Sequence, residues 1–88
     1  NTVYVEIKLT RQFDEALESF ERSVRLIPEV VECHLMSGTA DYLLKVLAKD
    51  SDDFERIHRH YLSRLPYVSN VESSFALRQV FKTTAISI

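Results

Sequence analysis

The order of hydrophobic patterns along the chain predicts an α+β fold, a ferredoxin-like αβ-sandwich. Its elements run βαββαβ, and two helices cover one face of an antiparallel sheet. Three observations carry this. The chain opens on a period-two stretch, and at Phe13 the period becomes helical. The only glycine, Gly38, stands between two runs of strand formers. Ile27-Pro28-Glu29-Val30 is echoed by Leu65-Pro66-Tyr67-Val68, so one strand–helix–strand unit is used twice.

Val3, Val5, Ile7 and Leu9 alternate with Tyr4, Glu6 and Lys8, as in a half-buried strand. Phe13, Ala16, Leu17, Phe20, Val24 and Ile27 then fall on one helical face. Asp14 and Glu15 stand in the first turn and Arg22 and Arg25 in the last, as the helix dipole favours. Pro28 stops the helix. Val31, Cys33 and Leu35 alternate with Glu32, His34 and Met36 as a second strand, and a third runs from Tyr42 to about Lys49. Asp50 or Ser51 caps a second helix, with Asp52, Asp53 and Glu55 in its first turns. Phe54, Ile57, Tyr61 and Leu65 form its buried stripe, Arg56, Arg59 and Arg64 lie toward its end, and Pro66 closes it. Val68 to about Phe81 is a fourth strand, around Ser73, Phe75 and Leu77. Thr83 to Ile88 is a short fifth strand or a tail crossing to a partner.

Eighty-eight residues make one small domain, residues 1–88, whose short chain buries a modest share of its surface. A net charge of −2 gives no basic stripe of the kind nucleic-acid binders carry. No apolar run is long enough to span a membrane, and the N-terminus is no signal peptide. A single cysteine cannot form an internal disulfide, which fits a reducing, cytoplasmic setting. Tyr4, Glu6, Lys8, His34, Met36, Leu43 and Leu47 fall on the second sheet face. That set is too apolar for a freely solvated face and too polar for a core, so the face reads as an association surface.

The Gly38–Asp41 loop is the candidate binding element. Its lone glycine suggests a positive φ or a close backbone approach. Free amides at Gly38, Thr39 and Ala40 suit the carboxylate of a small zwitterion, and Asp41 suits its ammonium. Leu35, Met36 and Tyr42 shape the apolar side, and Ser73 or Ser74, from the same or a neighbouring subunit, adds a hydroxyl donor. The same spacing also fits a plain turn with a solvated carboxylate.

Other residues point to no catalysis, cofactor or metal. Cys33 and His34 are adjacent on a strand and face opposite sides, and His58 and His60 diverge on a helix. Neither pair supplies a metal's ligand set. Cys33 lacks an activating base and reads as a buried small hydrophobe. Asp52-Asp53 reads as helix-start charge. His58, Arg59 and His60 read as a solvated face, or as a subunit contact that changes near pH 6.5, the usual histidine range.

Residues 31–46, VECHLMSGTADYLLKV, resemble the central hairpin of the Lrp/AsnC family of bacterial and archaeal transcriptional regulators. Leu65-Pro66-Tyr67-Val68 with Ser73-Ser74-Phe75-Ala76-Leu77-Arg78 resembles its closing segment, and Lys82-Thr83-Thr84-Ala85 its tail. The likeness covers essentially the whole chain and only the family's C-terminal effector and assembly domain. It implies a ferredoxin-like fold, dimers through the sheets and often tetramers of dimers, that is, octamers. It also implies an amino-acid effector between dimers, beside Gly38, Thr39, Ala40, Asp41 and Tyr42, with Ser73 and Ser74 on a lining strand. DNA is then contacted only through a separate N-terminal helix-turn-helix domain. Thr39 stands where many members have an acid, and Ser87 near where many have proline.

The chain therefore reads as the amino-acid-sensing and oligomerisation domain of such a regulator, a fragment because it starts at Asn1 without an initiator Met. A stand-alone amino-acid-binding domain and a small dimeric αβ-barrel enzyme are the alternatives.

Overall fold

The structure, a computed structural model, describes residues 1–86. The expected order is present: β1 (Thr2–Leu9), α1 (Asp14–Val24), β2 (Val30–Leu35), β3 (Tyr42–Leu47), α2 (Ser51–His60) and β4 (Val68–Phe75). The four strands form one antiparallel sheet in the order β2-β3-β1-β4, with β1 and β3 central. This is the ferredoxin-like arrangement.

Alternation on the central strands makes the core. Val3, Val5, Ile7 and Leu9 of β1 and Tyr42, Leu44 and Val46 of β3 are buried. Phe20 of α1 stacks on Tyr42 at 4.4 Å, and Phe54 of α2 meets Phe75 of β4 edge-on at 5.5 Å. Asp50 caps α2, its Oδ1 accepting from the Asp53 N–H at 2.8 Å, while Asp53 Oδ2 accepts from the Lys49 N–H. These reciprocal bonds satisfy two backbone donors at the helix start. Arg56 joins α2 to the β2 entrance by pairing with both Glu29 and Asp53.

Several expectations change. Phe13 is the residue before α1, 42 % exposed, and leans edge-on against Tyr67 instead of entering the core. Both helices end early: α1 stops at Val24, and after α2 a 3-10 turn over Leu62–Arg64 buries Leu62. β4 ends at Phe75, six residues short of Phe81, because the last backbone bond there joins the Ala76 N–H to Thr2 O, at the end of β1. No strand forms over residues 83–86, and the rest of that expected segment, Ser87 and Ile88, lies outside the described residues. Cys33 is exposed, not buried, because β2 is an edge strand that α1 covers only in part.

Candidate functional site

The loop between β2 and β3 spans residues 36–41 and is tied down at its end. The Met36 N–H donates to Asp41 O at 2.9 Å, and the Asp41 N–H donates to Ile7 O at 2.8 Å. The Asp41 side chain then reaches across to the end of β1. Its Oδ2 accepts from the Leu9 N–H at 2.7 Å and from the Gln12 amide at 3.2 Å, with Lys8 Nζ 3.8 Å away. Burial opposes ionisation of Asp41, but these donors outweigh it and hold the carboxyl below its ordinary value. Its contribution to stability is therefore present above the usual Asp pKa, about 3.9, and is lost as pH falls through the lowered one. All three contacts use Oδ2; Oδ1 has no hydrogen-bond partner among the described residues.

Gly38 has neither feature expected of it. Its φ is not positive, and a Cβ there would meet nothing within 4 Å. Among the described residues the left-handed one is Tyr67, at φ 63°, whose carbonyl accepts from the Thr10 N–H at 2.7 Å and from the Thr10 hydroxyl.

A cavity of about 300 Å³ lies beside the loop on the uncovered sheet face, lined by Glu6, Lys8, Thr39, Ala40, Asn70 and Glu72. Thr39 and Ala40 were expected there; Glu6, Lys8, Asn70 and Glu72 were not assigned to the site from sequence. Alternation along β1 placed Glu6 and Lys8 on this face, but the register of β4, which puts Glu72 opposite Glu6 and Asn70 opposite Lys8, leaves no trace in the sequence.

Other expected site residues lie elsewhere. Tyr42 points to the helix face, buried against Phe20, with its hydroxyl donating to Glu21. Burial first, then the Glu21 carboxylate, pushes its phenol well above the ordinary value. Leu35 pairs with Tyr42 across the strands and shares the helix face, while Met36 is exposed at the loop. Ser73 pairs with Val5 and faces the helices; Ser74 pairs with Tyr4 and faces away from them. Ser74 thus sits three residues of strand, about 10 Å, from the Ile7 position where the loop is anchored. One protomer does not bring either serine to the loop.

A second groove, of about 530 Å³, separates α1 from β2 and is lined by Glu21, Val24, Arg25, Val31, Cys33 and Leu35 among others. Cys33 is open to solvent yet partly desolvated by the groove wall, and this first, then Glu21, raises its thiol above the ordinary pKa, with Arg25 opposing, so the neutral thiol dominates at pH 7. Among the described residues no group of three or more His, Cys, Asp or Glu could hold a metal ion, and no helix is long and apolar enough to cross a membrane.

Fold and open sheet face define a ferredoxin-like αβ-sandwich with a cavity beside its β2–β3 loop. Residues 2–86 match the family model described as the Lrp/AsnC ligand binding domain, and the chain belongs to that family. It is 47 % identical over 78 residues to an HTH-type transcriptional regulator of Sinorhizobium fredii, covering 89 % of this chain and 61 % of the relative. It is 43 % identical to the proline dehydrogenase transcriptional activator of Rhizobium radiobacter, covering 94 % of this chain and 53 % of that one. Among solved structures, an AsnC family regulator from Agrobacterium tumefaciens superposes with TM-score 0.85 at 34 % identity, over 98 % of this chain and 56 % of that one. A Neisseria meningitidis transcriptional regulator in complex with L-methionine also gives TM-score 0.85, at 30 % identity, over 98 % of this chain and 55 % of that one. The chain thus spans between about half and three-fifths of these relatives. These relatives are named as transcriptional regulators or activators.

Proposed function

We propose that this domain senses an amino acid and couples its binding to self-association within an Lrp/AsnC-type regulator, with DNA contacted through a separate domain. The observation that carries this reading is the cavity against Thr39 and Ala40. It offers a cation at Lys8 and carboxylates at Glu6 and Glu72, the charge pattern a zwitterion needs, and it opens onto a sheet face that a second copy would close. The L-methionine bound to the Neisseria relative supports an amino-acid ligand. Thr39 supplies no extra acid to the loop, which favours an apolar amino acid over a basic one.

A site using both the loop and the β4 serines needs two subunits, since one protomer keeps them apart. The loop amides of Gly38, Thr39 and Ala40 and the free Oδ1 of Asp41 form one wall. Ser74 of a neighbouring copy, on the outward face of β4, is the serine placed to join it, while Ser73 faces the helices. Binding at such a junction favours one assembly over another by its differential affinity for the two states. Dimers through the sheet, and octamers built from them, are the assemblies proposed.

Calorimetric titration of the assembled protein with each of the twenty amino acids tests this. Apolar side chains should give heats that saturate. Asp41→Asn keeps an oxygen for the Leu9 N–H but removes the charge facing the α-ammonium. It should weaken binding about ten- to a hundredfold, the loss of one charge-assisted contact of ~1.5–3 kcal/mol. Unchanged affinity in Asp41→Asn moves the ammonium to Glu6 or Glu72, and no heat with any amino acid rejects the sensing role.

A further inference from the structure

The open sheet face is a grid of rows, and one row has opposite chemistry at its two ends. Strand register aligns His34 of β2 with Leu43 of β3, Leu43 with Glu6 of β1, and Glu6 with Glu72 of β4. An imidazole stands at one edge of this row and two adjoining carboxylates at the other. Neighbouring strands lie about 4.8 Å apart, so His34 and Glu72 are separated by ~14 Å within one protomer and do not meet. No ion pair among the described residues includes Glu6 or Glu72, and Lys8 on the same face lies 3.8 Å from Asp41.

His34 has one nitrogen engaged and one free. Its Nε2 lies 3.0 Å from Glu32 Oε1, and Lys45 Nζ is 3.5 Å from the other oxygen of that carboxylate. An ionised carboxylate only accepts, so Nε2 carries the hydrogen. The His34 contact first, with Lys45 adding to it against some desolvation, holds the Glu32 carboxyl below its ordinary value. Nδ1 makes no hydrogen bond among the described residues, and the side chain is 57 % exposed. In the neutral ring Nδ1 offers only a lone pair. Protonation makes it a donor and adds a positive charge. The groups around it are Glu32 on its own strand and Lys45 and uncharged Leu43 on β3, while Asp41 beyond the loop is committed to the Leu9 N–H.

We infer that the open face is a pH-responsive lock between two copies, in which protonated His34 of one copy sets its Nδ1–H against the Glu6–Glu72 carboxylates of the other. Two twisted sheets pack face to face with their strands nearly aligned. A two-fold axis along the strands lays β2 over the second copy's β4 and β3 over its β1, so each row is reversed end for end. His34 then meets Glu72, and Lys45 in the next row meets the Tyr4 ring, a cation on an aromatic face. Each contact occurs twice. With His34 neutral, the carboxylate pair is covered without a cation; with it charged, the pair gains one. The charged form is the one that gains a partner. Its contribution is therefore full below the ordinary histidine range, about pH 6.5, and is lost as pH rises through and above it. The inference rests on the sheet-face association proposed above and names the group that regulates it.

Sedimentation at about pH 8 and about pH 6, on either side of the histidine range, reads the dissociation constant from nanomolar to micromolar protein. Wild type should associate roughly tenfold or more tighter at the lower pH, as two charge-assisted contacts form. His34→Gln keeps an N–H for Glu32 but takes up no proton, and its association should not depend on pH. Glu72→Gln should flatten the dependence too. His34→Lys, charged at both pH values, should hold the dimer at both, so a weak His34→Gln dimer does not hide the effect. His58→Gln with His60→Gln, both exposed on α2, should leave the dependence intact. A wild type that associates equally at both pH values overturns the inference and leaves sheet-face association standing. A dependence that survives His34→Gln or Glu72→Gln overturns it as well. A wild type that never associates removes the sheet-face reading with it.

Discussion

The two faces of the sheet come from the same strands yet meet opposite fates. On β3, Leu44 points under the helices and is fully buried, while Leu43 and Leu47 point away and Leu47 is 47 % exposed. On β1, Val5 is buried and its neighbour Tyr4 is 41 % exposed. On the two central strands the covered face carries only aliphatic and aromatic side chains. The open face mixes Tyr4, Leu43 and Leu47 with Glu6, Lys8, Lys45 and Glu72, and Glu6 stands directly opposite Glu72. Like charges directly opposite each other cost stability in an isolated sheet. A face that tolerates this while exposing large apolar side chains is better suited to a partner than to water.

Adjacent leucines test the contrast most strongly. Leu44→Ala removes a fully buried side chain and should cost about 2–5 kcal/mol in urea unfolding, as cavities in packed cores do. Leu43→Ala, one residue earlier and only partly buried on the open face, should cost the isolated protomer about 1 kcal/mol or less. Equal costs would show that the open face is already packed within one chain. The smallest effect is expected at Gly38→Ala. With no positive φ and open space around it, alanine should be neutral or stabilise by up to about 1 kcal/mol through the unfolded state. A clear destabilisation in thermal melts would show that the loop makes a close approach in the assembled protein.

Legibility in the sequence follows the same division. β1 was readable residue by residue, because one face is buried and period two is then enforced. The helices were readable from their stripes, but Phe13 and the last turn of α2 were not, since a stripe does not show where a helix stops being covered. β2 misled most. Val31, Cys33 and Leu35 alternate like a core strand, yet the edge position leaves them exposed, and edge position is a property of topology. Gly38 invited a backbone explanation that the loop does not need. Asp41 stands at the end of the loop, but its bond to the Leu9 N–H joins residues 32 apart in sequence, and no local pattern announces it. Lys8, Asn70 and Glu72 reach the cavity through strand register, which is fixed only when the sheet forms.

The account rests on the open face being an association surface, and sedimentation of the wild type beside Leu47→Asp tests that most directly. Leu47 lies outside the core, so the variant should keep its secondary structure by circular dichroism. A carboxylate buried at the junction would be desolvated without a partner. The expected result is a dimer or larger for the wild type and a shift toward monomer for Leu47→Asp. A wild type that stays monomeric at every accessible concentration, or a variant that assembles as the wild type does, would contradict it.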